Sequence, residues 1–189
     1  MSGLPIMMPA WAEILLLSLA CLILVVDVFL PQRHKSLVYV FTLLALLACA
    51  TTTALVLTTT QGRPVTTFNG MFVSDVMASV LKVFTYVSVA LCLVYTRSYL
   101  AARGLYRGEF FALTLFATLG MMVMISANHF LTMYLGLELM SLCLYALIAL
   151  GLVIIYRGTG HLNFAQGEMA LFCTYFMYQF GEWGLPIGL

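Results

Sequence analysis

The chain has 189 residues, of which 63% are apolar and only 8% are charged. These proportions exclude an ordinary water-soluble domain, in which about a quarter of the residues are charged. Seven acidic and eight basic residues leave a formal net charge of +1, so no basic surplus points to nucleic acid as a partner. The composition predicts an all-α protein that lies in the lipid bilayer.

Five apolar stretches are long enough to cross the membrane, because about 20 mostly apolar residues span the hydrocarbon core as a helix. These predicted spans lie near residues 12–30, 37–59, 72–96, 110–126 and 130–155. The first is expected to remain as a membrane helix and not to be a cleaved signal, since no Lys or Arg precedes Trp11. A less uniform stretch, 162–180, could form a tail span or a re-entrant segment.

The basic residues are distributed unequally between the loops on the two sides of the predicted bundle. One side carries Arg33 and Lys35 in the first loop, a basic third loop, and Arg157 after the fifth span, whereas the opposite side has only Arg63. Because short cytoplasmic loops are enriched in Lys and Arg, this asymmetry predicts that the amino terminus lies outside.

No residue pattern in the chain indicates a metal or cofactor site. The five cysteines are scattered one to each apolar stretch, without a CxxC or Cys/His cluster, and are interpreted as small apolar side chains. Phosphate-binding glycine loops, Ser/His/Asp sets, and haem or iron–sulfur ligand patterns are also missing from the sequence. Any redox cofactor is therefore expected on another subunit.

Glu138 is the strongest functional candidate, because a charge at the bilayer centre costs at least about 2.5–3.5 kcal/mol. It lies in the fifth span, roughly 14 Å along the helix and near the midplane. A carboxyl group at this depth changes between its neutral and charged forms when a cation leaves or approaches. We therefore predict that Glu138 is a proton relay; the alternative is a protonated side chain that only hydrogen-bonds a neighbouring helix.

Lys82, in the middle of the third predicted span, is the second candidate. It is interpreted either as a proton relay or counter-charge, or as a positioning residue whose long side chain reaches the membrane interface. Asp75 lies about two helical turns earlier and is expected to influence Lys82 only at longer range.

The remaining polar residues of the spans are expected to be mainly structural. Glu13 and Asp27 lie near the two ends of the first span, and Glu109 opens the fourth, where a carboxylate complements the positive end of the helix dipole. His129 begins the fifth span and could cap the helix, form a hydrogen bond or relay a proton, of which an interfacial role is favoured. The threonines within 51–60 are expected to donate to carbonyl groups one turn earlier.

Four stretches carry a resemblance to a known family. They are Phe68–Asp75 leading to Lys82, Tyr99–Glu109, Ala127–Leu131 and, above all, the motif Leu-Gly-Leu-Glu-Leu-Met-Ser-Leu of residues 135–142. On these stretches residues 1–150 resemble subunit N of NADH-quinone oxidoreductase, the antiporter-like membrane subunit of respiratory complex I. The resemblance implies that Glu138 takes part in proton translocation, and it agrees with the outside amino terminus.

The same resemblance sets expectations for the surroundings of the chain. It implies a multi-pass protein of the bacterial inner membrane with a periplasmic amino terminus, whose partners are the lipid bilayer and other membrane-arm subunits. NADH, FMN, iron–sulfur clusters and quinone are implied on the parent complex, and none of them on this chain. As a subunit the chain would serve the proton-translocating oxidoreductase, while the isolated chain is expected to be inactive.

The family's fold has about fourteen transmembrane helices, and the lysine that partners the glutamate lies on the seventh of them. No such lysine can be assigned in this sequence, so the resemblance leaves the counter-charge of Glu138 open between Lys82 and another chain. In the isolated chain Glu138 is expected to be protonated and idle.

The residues after Leu150 follow a different pattern. The segment 151–160 and the run Asn-Phe-Ala-Gln-Gly-Glu of residues 163–168 resemble the start of a branched-chain amino-acid ABC transporter permease. The prediction is therefore a two-part chain, with antiporter-like helices over 1–150, a permease-like tail over 151–189 and a junction near Leu150. The alternative functions are a permease fragment or a non-functional fusion.

Overall fold

The computed structural model describes residues 8–29, 35–102 and 108–159, and the structural statements below refer to these ranges. After a 3-10 turn, Met8–Ala10, the elements are α1 (Trp11–Phe29), α2 (Lys35–Thr59), β1 (Val65–Thr67), β2 (Phe72–Ser74), α3 (Val76–Ala102), α4 (Gly108–Ile125) and α5 (Phe130–Thr159). All five helices are long and apolar enough to cross a membrane. The predicted polytopic helix bundle is thus confirmed.

The third predicted span starts too early. The structure places residues 72–74 in strand β2 and begins α3 at Val76. Asp75 explains the boundary, because its carboxylate Oδ1 accepts a hydrogen bond of 2.6 Å from the backbone N–H of Ala78, as a helix N-cap does. An apolar run such as Phe72–Val73 fits a strand and a helix equally well, so hydropathy alone could not separate the two.

The chain divides into two compact units, Met1–Leu147 and Ile148–Leu189. The first contains α1 to α4 and most of α5; the described part of the second is the end of α5. The core of the first unit lies between α1, α2, α3 and α4. Its largest fully buried side chains include Tyr86, Phe111, Leu16, Leu46 and Leu115.

A β-hairpin covers one end of the helical bundle, the end at which α1, α3 and α5 begin and α2 and α4 end. We call this end of the bundle the hairpin end. Strands β1 and β2 are antiparallel and join through residues 68–71, with Phe68 and Asn69 in the left-handed region at φ 52° and 54°. The Thr67 carbonyl accepts from the Gly70 N–H at 3.2 Å, which closes the turn.

The hairpin is also bound to the connection between α4 and α5. The Val73 N–H donates to the Ser126 carbonyl at 2.9 Å, and the Asn128 N–H donates to the Met71 carbonyl at 2.9 Å. The Asn128 side-chain amide donates to the Gly70 carbonyl at 2.7 Å. The hairpin therefore holds the start of α3 and the start of α5 in one layer.

The hydroxyl groups of the threonine-rich end of α2 donate to carbonyl groups three or four residues earlier, as predicted. The donors are Thr51, Thr52, Thr53, Thr58, Thr59 and Thr60. These bonds satisfy the hydroxyls without a ligand.

Candidate functional site

Glu138 lies in α5, eight residues after its first residue Phe130, and its side chain is half-buried. Tyr134 lies one turn earlier on the same helix, within electrostatic range of the Glu138 carboxylate. Because Tyr134 is 49% exposed, this part of α5 faces the open side of the helix. The carboxylate is thus held on a helix surface within an otherwise apolar span.

Two glycines fix the position of α5 against α4 next to Glu138. A Cβ atom at Gly120 would lie 2.7 Å from the backbone nitrogen of Met140 and 2.8 Å from the carbonyl oxygen of Gly136. A Cβ atom at Gly136 would lie 2.9 Å from the carbonyl oxygen of Gly120. Only glycine permits such an approach of two helix backbones, which is a common device in membrane bundles. Glu138 lies two residues from this crossing.

The rest of α5 packs little within the described chain. Only 11% of its span is buried, whereas half of the α4 span is buried. The exposed side chains of α5 include large apolar ones, such as Leu135, Leu142 and Tyr145. Glu138 therefore borders an apolar surface on which further helices or lipid can pack.

Lys82 forms an ion pair with the Oε1 oxygen of Glu13, across α3 and α1. The two side chains are buried, with 3% and 8% of their surfaces exposed. The Lys82 ammonium also lies 5.1 Å from the centre of the Phe72 ring, which covers it from the hairpin. Lys82 is thus enclosed between α1, α3 and the hairpin.

Glu13 is correspondingly more than the terminal carboxylate that the sequence suggested. In this structure the carboxylate that pairs with Lys82 belongs to Glu13 and not to Glu138. Asp75, which was expected to influence Lys82 only at longer range, caps α3. The signal that could have identified the pair is the presence of opposite charges near the same end of two apolar spans.

The other sequence candidates occupy helix ends. His129 is exposed, and its Nδ1 atom accepts a hydrogen bond of 3.2 Å from the Leu131 N–H, so it caps α5 in the way predicted for an interfacial residue. Asp27 lies against Gly108, where a Cβ atom would clash with its carboxylate. This places an acidic group at the positive end of the α4 dipole, and Glu109 is exposed in the same first turn.

Comparisons with known proteins give one consistent result. The chain is 51% identical over 147 residues to NADH-quinone oxidoreductase subunit N of Nitrosomonas europaea, a match that covers 78% of this chain and 30% of the relative. The subunit N of Methylovorus glucosotrophus is 51% identical over 143 residues, covering 75% and 29%. No family profile matches the chain.

A third relative extends the match further along the chain. Subunit N of Neisseria gonorrhoeae is 37% identical over 210 aligned positions, which cover 97% of this chain and 42% of the relative. The chain spans about 30% of the length of the curated relatives named before it. Over most of its length, the chain is therefore homologous to part of NADH-quinone oxidoreductase subunit N, a membrane subunit of complex I.

Proposed function

We propose that the chain is part of a proton-translocating membrane subunit of NADH:quinone oxidoreductase, in which Glu138 takes up and releases protons. The observation that carries the proposal is the position of Glu138, half-buried in an apolar span two residues from the Gly120–Gly136 crossing. Such a group binds or releases a proton when a nearby charge moves. The subunit would couple electron transfer from NADH to quinone with proton movement.

The local geometry supports a relay and not merely a buried acid. The carboxylate of Glu138 has a polar neighbour in Tyr134, one turn earlier on the same helix, while the exposed surface around it is otherwise apolar. A cation that approaches or leaves would then decide whether the carboxyl group holds its proton. The glycine crossing holds the carboxylate in place while such a cation approaches its exposed face.

Partners and location follow from this proposal. The apolar face of α5 would pack against other helices of the membrane arm and against lipid, with a counter-charge for Glu138 supplied from there. NADH, FMN, iron–sulfur clusters and quinone would be bound by other subunits, and the isolated chain would be inactive. The excess of Arg and Lys in one set of loops supports a bacterial inner-membrane orientation with the amino terminus in the periplasm.

The permease-like tail remains a prediction, as does the junction near Leu150. Residues 160–189 lie outside the described residues, so no structural observation favours a permease fragment or a fusion. The alignment with the relative from Neisseria gonorrhoeae covers 97% of the chain and so runs into this segment.

The test replaces Glu138 with Gln in the oxidoreductase complex that contains this chain, reconstituted in liposomes. We expect proton uptake per NADH oxidised to fall, because the amide cannot bind a proton. Glu109→Gln is the matched control, since Glu109 is an exposed glutamate in the first turn of α4. Unchanged pumping in Glu138→Gln would show that the assigned role is wrong.

A further inference from the structure

We propose that Glu13 and Lys82 form a second proton-binding site, in which Glu13 exchanges a proton with an adjacent cavity and Lys82 provides the counter-charge. The site goes beyond the proposed function, because it is built from α1, α3 and the hairpin and does not involve Glu138. Its ion pair connects the third residue of α1 with the seventh residue of α3, so both groups lie near the hairpin end.

The burial of this pair changes the relative energies of its ionised and neutral forms. Two charges removed from water lose several kcal/mol of hydration each, and their mutual attraction offsets this loss only in part. Transfer of the ammonium proton to the carboxylate gives Lys–NH₂ and Glu–COOH, which abolishes both charges without changing the net charge. Burial therefore reduces the energy difference between the ionised and neutral forms, compared with a pair exposed to water.

The hydrogen bonds of the pair are incomplete. Glu13 Oε1 contacts Lys82, whereas Glu13 Oε2 is buried and has no hydrogen-bond partner among the described residues. The Tyr86 hydroxyl, one turn after Lys82, is also buried; it lies near Thr53 but makes no well-formed hydrogen bond within the described chain. Orphaned buried oxygens of this kind are usually satisfied by a bound water or proton.

A cavity of about 410 Å³ lies against Glu13. Glu13 lines it together with side chains of the hairpin, of α4 and of the first turn of α5, including Phe68, Leu119 and Thr132. Phe68 and Ile14, which also line it, are 48% and 45% exposed, so the cavity reaches the outside of the bundle. Lys82 does not line the cavity and is covered by the Phe72 ring. Glu13 is thus the member of the pair that borders the cavity.

Within the part of the chain that the structure describes, no second cation competes with Lys82 for Glu13. From α2, Cys49 lies within electrostatic range and Thr53 faces Tyr86; from α3 come Lys82 and Tyr86 themselves. Among the described residues, α4 and α5 contribute only Leu119, Val123 and Thr132 to the cavity, none of which titrates. Among the described residues, Lys82 is therefore the cation paired with Glu13.

The experiment measures infrared spectra of the full chain in lipid nanodiscs as a function of pH, in D₂O. We expect the wild-type spectrum to gain a carboxylic-acid C=O band reversibly as the pH falls, at unchanged helix content, and Glu13→Gln to lose this band. Lys82→Met should shift the band to higher pH, because the carboxyl group then lacks its counter-charge. If Glu13→Gln does not fold, Glu13→Asp should move the band in frequency.

Three results separate this proposal from the one on Glu138. A band that is lost in Glu13→Gln and kept in Glu138→Gln supports the second site even if Glu138 does not pump protons. If no band distinguishes wild type from Glu13→Gln at any pH at which the helices persist, the pair is a sealed structural link and the proposal fails. A band that is lost only in Glu138→Gln also overturns it.

Discussion

The ion pair between Glu13 and Lys82 allows a prediction of stability that can be worked out from its burial. Removing one partner leaves the other buried and uncompensated, since 3% of the Lys82 side chain and 8% of the Glu13 side chain are exposed. Such a loss costs about 3–5 kcal/mol, whereas replacing both partners with apolar residues of similar volume is often neutral. We expect Glu13→Leu and Lys82→Met each to destabilise the chain, and the double variant to be more stable than either by about 2 kcal/mol or more.

The assay is SDS titration in mixed micelles, followed by far-UV circular dichroism, from which the free energy of unfolding is obtained. Lys82→Met should lose less stability at acid than at neutral pH, because a bound proton can neutralise the remaining carboxyl group of Glu13. Glu109→Leu combined with Lys82→Met is the control pair and should be additive. If the Glu13 and Lys82 variants were also additive, the reasoning from the buried pair would be refuted.

Three other features of the described chain lead to predictions. Gly136→Val should destabilise the α4–α5 contact by about 1–3 kcal/mol and alter the surroundings of the Glu138 side chain. Gly151→Val is the control and should have no such effect, because a Cβ atom at Gly151 meets nothing within 4 Å. Equal effects of the two variants in thermal melts would contradict the close crossing. Asp75→Ala should remove the α3 cap and cost about 1 kcal/mol, with Asp75→Asn as the conservative control in denaturation experiments. Asn128→Ala should cost about 1 kcal/mol and speed amide exchange at Gly70, and unchanged exchange there would argue against the clamp on the hairpin.

Hydropathy was sufficient to identify the helices, because the bilayer demands a long apolar stretch for each span. The predicted and observed spans agree within a few residues at most ends. The largest differences are at the two ends of α3, which continues to Ala102 instead of ending near 96, and which is preceded by strand β2 at residues 72–74. This strand exists because it pairs with β1 and with the connection to α5, both of which are contacts made only in the folded chain.

The candidate site also combines a residue that the sequence identifies with contacts that form only in the folded chain. Glu138 could be selected from the sequence, since a carboxyl group at the bilayer centre is costly wherever the helix lies. The glycine crossing beside it depends on which face of α4 meets α5, and the short motif around Gly136 does not specify this.

The sequence by itself determined that the chain is a membrane helix bundle and that Glu138 and Lys82 are charged groups in apolar spans, because these properties depend on length and composition along one helix. Only the tertiary structure decided the partner of Lys82. Helix α2 and the hairpin separate the helix of Glu13 from that of Lys82 in the chain. The packing of α1 against its neighbours, with the hairpin over their ends, brings the two charges into contact. Such a pairing follows from the rotation of each helix about its axis, which is set by packing across the whole bundle.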